Sequence, residues 1–167
     1  LFLTSIAVIY LQIGLMRYLS YIYYGTFTSL VIGLALIGFG AGGTFLALNQ
    51  RRIGRREAPW LMGFACLTGL GIIGGLLAVD GLLLNLAYLF YDSGELLKFL
   101  VVVLALVPAF FGGGSLIGRI LVTGGRDRGL LYGINLFGSG MGSLLAVLAM
   151  YRFTPAALPA LALIPMA

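Results

Sequence analysis

Four polar residues, Gln12, Arg17, Tyr132 and Asn135, sit in stretches that are otherwise almost wholly apolar. An amide or guanidinium placed in hydrocarbon must find a partner or reach water, so each of these side chains raises the question of what it contacts. Gln12 and Asn135 carry amides able to exchange hydrogen bonds between two helices. Arg17 follows Gln12 by about a turn and a half of helix and carries the positive charge of the group. Together the four outline a candidate intramembrane polar site between a first and a fifth helix. Plainer roles compete for the same residues: interhelical hydrogen bonding for Gln12 and Asn135, and a snorkelling interfacial anchor for Arg17.

Other chemistry is thinly supplied. The chain has no histidine, which excludes histidine-based triads and general bases. Cys66 is the single cysteine, so neither a disulfide nor a thiolate zinc cluster can form within the chain. The acids Glu57, Asp80, Asp92, Glu95 and Asp127 fall at expected helix ends or in loops, with no ligand pair at helical spacing. No metal and no cofactor are expected. The run GFGAGG at Gly38–Gly43 has the letter pattern of a dinucleotide turn. It lies late in a long apolar run, however, and the acid expected about 20 residues further on is missing. FGGGSLIG at Phe111–Gly118 likewise lacks the Gly-Lys-Ser/Thr ending of a phosphate loop.

The elements that must position these residues follow from hydropathy. With 61% hydrophobic and 9% charged residues, and a mean hydropathy of +1.11, the chain lies far from the roughly 25% charge of soluble domains. Charge-free runs approach or exceed the roughly 20 residues that span a bilayer: Leu1–Met16, Tyr18–Gln50, Ala58–Val79, Phe99–Gly118 and Gly129–Tyr151. Strands are excluded by the cost of open sheet edges in lipid. The expected fold is an all-α polytopic membrane bundle of about six helices at 1–19, 26–49, 59–79, 96–122, 129–150 and 155–167, the last cut short. Pro59 suits a first-turn position. The apolar stretch Gly81–Gly94 is too short to span and reads as an interfacial or re-entrant segment. Pro108, followed by Gly112, Gly113 and Gly114, predicts a kink in the fourth helix, or a discontinuous helix of the transporter kind.

Glycine supplies the packing code. Gly38/Gly42, Gly71/Gly75, Gly114/Gly118, Gly129/Gly133 and Gly138/Gly142 recur at four-residue spacing, and Gly25, Ser29 and Gly33 continue the pattern up the second helix. Such faces let helix backbones approach closely in lipid, where hydrophobicity gives little drive for association. The expected partners are therefore the bilayer and other transmembrane helices or subunits.

Charge sets orientation. Arg51, Arg52, Arg55 and Arg56 in one connection and Arg119, Arg126 and Arg128 in another fall on the same side of an alternating bundle, facing Arg17, Lys98 and Arg152 on the other. Lysine and arginine favour the cytoplasm, so loops 51–58 and 119–128 are expected there, in a bacterial inner membrane. Tyr18, Tyr21, Tyr23, Tyr24, Tyr88, Tyr91 and Tyr151 suit the far interface, and Trp60 the near one. Topology and anionic headgroups account for the net charge of +5, without a nucleic-acid partner.

Three segments carry a family resemblance: LQIGLMRYLS (Leu11–Ser20), SLVIGLALIGFGAGG (Ser29–Gly43) and LLYGINLFGSGMGSLLA (Leu130–Ala146). Together they resemble the membrane domain of spermidine-synthase-like integral membrane proteins. Arg17, Leu19 and Ser20 match the first pattern of that family, Leu34 to Gly43 the second, and Tyr132, Leu136, Gly138 and Gly142 the third. Gln12 stands where the family often has Glu, and Asn135 where it often has Asp. The resemblance implies a helix bundle preceding a cytoplasmic aminopropyltransferase-type domain that binds decarboxylated S-adenosylmethionine and a polyamine. That enzyme domain is not among these residues, and the chain reads as the membrane part of a longer protein. Two other functions stay open: an accessory subunit of a larger membrane complex, and a transporter of a small, polyamine-like solute.

Overall fold

The computed structural model describes residues 1–23, 28–82, 85, 88–89 and 91–166. Five α-helices carry the chain: α1 (Phe2–Tyr23), α2 (Thr28–Arg55), α3 (Glu57–Gly81), α4 (Ser93–Thr123) and α5 (Arg128–Met150). All five contain spans long and apolar enough to cross a membrane, and no strand occurs among the described residues. The described residues thus form an all-helical membrane-type bundle with five long helices.

The sixth expected helix does not form. Residues 155–159 make turns, and Ala160–Met166 is a 3₁₀ segment. Pro155, Pro159 and Pro165 explain this, since each lacks an amide donor and crowds the preceding turn. The segment lies across α1 and α3, so close to Gly14 that a methyl there would sit 3.2 Å from the Pro159 nitrogen.

Two connections are also shorter than the sequence suggests. α2 continues through Arg51 and Arg52 to Arg55, leaving Arg56 alone before α3, so most of the expected 51–58 loop is helix. Arginine is a good helix former, and a helix leaving hydrocarbon keeps its own hydrogen bonds. Of the expected 119–128 loop, residues 119–123 complete α4 and Gly125–Asp127 form a 3₁₀ turn before α5. Gly125 turns the chain at φ +52°, a conformation open to glycine. At the far end, Asp92 caps α4, accepting a hydrogen bond from the Gly94 amide at 2.9 Å. Residues 83, 84, 86, 87 and 90 of the expected interfacial segment lie outside the described residues, as do Tyr24 and Gly25.

α4 is the centre of the bundle. Its 31 residues measure about 46 Å, longer than the roughly 30 Å hydrocarbon layer. It runs unbroken through Pro108, with no gap of the transporter kind. α2 and α3 pack along its two sides and meet each other mainly through aromatic rings. The three consecutive glycines form a junction. A methyl at Gly112 would lie 2.6 Å from the Phe64 carbonyl oxygen of α3, one at Gly113 2.5 Å from Val8 Cγ2 of α1, and one at Gly114 3.1 Å from Phe39 Cα of α2. Successive residues turn by about 100° around a helix, so three adjacent glycines admit three neighbours. Phe45, Trp60, Phe64 and Phe111 close the gap between α2, α3 and α4, with ring centroids 5.7–6.4 Å apart.

Most of the expected glycine faces make contact. Gly38 and Gly42 meet Phe110, Phe111 and Ser115, Gly71 and Gly75 meet the Pro108–Ala109 backbone and Leu106, and Gly118 meets Leu46. Gly138 and Gly142 meet the backbone of Phe2 and Ile6, so α5 runs parallel to α1. Gly129 and Gly133 face open space, as does Gly33, and Ser29 is exposed. The continuation of the packing face beyond Gly38 toward Ser29 is therefore not used inside the bundle.

Candidate functional site

Asn135 is held by α1, through Ser5. Ser5 Oγ donates to Asn135 Oδ1 at 2.7 Å and also lies 2.8 Å from the Leu1 carbonyl oxygen, so its single proton is shared. Ser5 is fully buried and Asn135 partly so. Gly138 and Gly142 bring the two helices close enough for this bond.

The other expected site residues lie elsewhere. Gln12 is partly buried two turns beyond Ser5, about 10 Å along α1, and Arg17 is exposed a further turn on. Tyr132 is 59% exposed on α5. The structure thus joins α1 to α5 through Asn135, while Gln12 and Arg17 lie further along α1 and Tyr132, one turn before Asn135, is exposed. Ser5 was legible only as one of three polar residues, with Thr4 and Gln12, in the tyrosine-dotted first apolar run.

The Ser5–Asn135 pair sits on the wall of a recess of about 360 Å³ between α1, α2, α4 and α5, which Ser139 also lines. α4 and α5 touch little, and the recess fills the space they leave. Gly43 and Gly118 continue it into a second recess of about 280 Å³ that ends at Gln50, Arg119 and Val122. The result is one groove, apolar along its walls, with an arginine at one end and the hydroxyl–amide pair on the wall of the larger recess.

Arg119 anchors the arginine-rich end. Its guanidinium Nη2 lies 2.9 Å from Glu57 Oε1, pairing the start of α3 with the last turns of α4. Both arginine-rich connections therefore share one end of the bundle. The contact is close but poorly aligned as a hydrogen bond: Arg119 Nε and Glu57 Oε1 both lack a hydrogen-bond partner among the described residues. Arg119 is 7% exposed, whereas the Glu57 side chain is 42% exposed.

At the opposite end Tyr18 turns inward rather than joining an interfacial belt. It is buried, and its hydroxyl donates to Asp80, which ties α1 to α3. Glu95 accepts from the Asn85 amide at 2.8 Å and pairs with Lys98 at 2.6 Å. Tyr21, Tyr88, Tyr91 and Tyr151 are exposed as the sequence suggests. Among the described residues no three His, Cys, Asp or Glu side chains gather into a metal site. GFGAGG lies inside continuous α2 and offers no helix N-terminus to a phosphate.

Fold and site together define a polytopic membrane-helix bundle joined by glycine contacts and a few buried polar pairs. No family model matches the chain, nor does any curated protein or solved structure.

The Ser5–Asn135 bond has a measurable weight. Ser5→Ala and Asn135→Leu should each cost about 1 kcal/mol, and the double variant should cost less than their sum. Gln12→Leu should change stability by under about 0.5 kcal/mol, as expected away from a paired site. Thermal unfolding in detergent, followed by circular dichroism, checks all four.

Proposed function

We propose that this bundle is the membrane domain of a spermidine-synthase-like integral membrane protein, anchoring a cytoplasmic aminopropyltransferase-type domain. The supporting observation is where the three resembling segments fall in the bundle. Leu11–Ser20 supplies buried Leu11, Leu15, Tyr18 and Leu19. Leu34–Gly43 supplies the α2 face on α4, and Leu130–Ala146 the α5 face on α1. Three polar pairs, Ser5–Asn135, Tyr18–Asp80 and Arg119–Glu57, join helices to one another, which suits an anchor. In this reading its arginine-rich end, with exposed Arg51, Arg52, Arg126 and Arg128, faces the cytoplasm, as the distribution of positive charge favours, and the membrane is the bacterial inner membrane.

The test is isolation of the native polypeptide from membranes. Expected are resistance to alkaline extraction, a mass far above 17.7 kDa, and aminopropyl transfer from decarboxylated S-adenosylmethionine to a polyamine by a part released on cytoplasmic-side proteolysis. A native mass near that of this chain would overturn the reading. A second reading, an accessory subunit, draws on the outer face of α5, where Gly129, Gly133 and Gly140 meet nothing within 4 Å. Stable co-purification with another membrane protein at a native mass near 17.7 kDa would favour it.

A further inference from the structure

The geometry points to a binding site for an anionic phospholipid in the groove between α2, α4 and α5, its phosphate at Arg119 and one acyl chain running through the larger recess that the Ser5–Asn135 pair lines toward Phe39. The head end is built around a buried cation with spare capacity. Arg119 is 7% exposed, it lines the groove, and its Nε has no hydrogen-bond partner among the described residues. A guanidinium offers five donors in a planar fork that suits phosphate oxygens, and Glu57 engages one side of it with poor alignment. Exposed Arg51, Arg52, Arg126 and Arg128 at the same end outnumber Glu57 and Asp127, so the local field favours an anion. Basic pockets between transmembrane helices recruit acidic headgroups on this principle.

The rest of the groove selects a chain rather than a free ion. From Gln50 to Phe39 on α2 it extends eleven residues, about 16 Å. Its two recesses, about 280 and 360 Å³, are together of ligand-site size. Gly43, Gly114 and Gly118 keep the walls low. α4 and α5 touch little beside the groove, so an acyl chain can enter sideways from the leaflet without leaving hydrocarbon.

The experiment is native mass spectrometry of the full natural chain in neutral detergent, with added phosphatidylglycerol or phosphatidylcholine of matched chains. One phosphatidylglycerol should be retained at least tenfold better than phosphatidylcholine. Gly43→Leu is the plugging variant. Gly43 lines both recesses, and a Cβ there meets nothing within 4 Å, so the leucine fills the groove without disturbing the packing. Gly40→Leu, equally open but outside the groove, is its control. Retention should fall at least tenfold in Gly43→Leu and in Arg119→Gln and hold in Gly40→Leu, with unchanged helical circular dichroism in both leucine variants. Equal retention of the two lipids would overturn the site, as would full retention in Gly43→Leu. Displacement of the lipid by an equal concentration of inorganic phosphate would assign the arginine to a free anion and also overturn it.

Discussion

Gly71→Ala should destabilise the bundle by about 3 kcal/mol, the upper end of what overpacking usually costs. The added methyl would stand 2.8 Å from Ala109 Cα and 2.9 Å from the Pro108 carbonyl carbon, against the 3.5–4.0 Å of an ordinary carbon contact. Both obstacles are backbone, so no rotamer change relieves them and α3 must move off α4. Gly63→Ala and Gly74→Ala supply the contrast on the same helix. Neither added methyl meets an atom within 4 Å, and alanine favours helix over glycine by up to about 1 kcal/mol. Both should therefore leave stability unchanged or slightly raised. Unfolding of the three variants in mixed micelles measures the difference directly. Equal tolerance of alanine at 71 and 63 would mean that the α3–α4 seam does not depend on glycine.

That contrast also shows what the sequence could and could not tell. A bilayer demands long apolar helices, so the existence of α1 to α5 was legible from hydropathy alone. Four-residue spacing identified helical faces, but not which of them look inward. α5 shows this most clearly. Gly138 and Gly142 press on α1 while Gly129 and Gly133 look outward, because the five residues from Gly133 to Gly138 turn the helix by about 140°. Proline spacing, more than hydropathy, determined the fate of the last segment: Phe153–Ala167 is charge-free throughout, yet turns and a 3₁₀ segment occupy its described part. Asn135 was recognisable as a polar group needing a partner. Its partner was not, because register between helices 136 positions apart is set by the depth at which Gly138 and Gly142 seat on Phe2 and Ile6. Tyr18 had looked interfacial by residue type, and only the position of Asp80 at the end of α3 drew it inside.

Glu57→Gln should cost about 3 kcal/mol, more than removal of its partner. The pair is asymmetric: the Arg119 guanidinium is nearly enclosed, while the Glu57 carboxylate is 42% exposed on its side chain. In lipid-free detergent, removing the acid leaves a buried positive charge with no counterion, the condition under which broken ion pairs cost most. Removing the arginine leaves an acid that can turn to water, so Arg119→Met should cost about 1 kcal/mol, mostly lost contact of its stem. The double variant Glu57→Gln/Arg119→Met should then be more stable than Glu57→Gln alone, because methionine suits the apolar surroundings that the charge did not. A double-mutant cycle by unfolding in detergent measures this coupling. Added salt should alter it little, since screening acts weakly on an enclosed group. The same cycle tests the geometry of the end itself. A coupling near zero would mean that the start of α3 and the last turns of α4 are not held together, and with it would go the shared side of the two arginine-rich connections on which the orientation of the bundle rests.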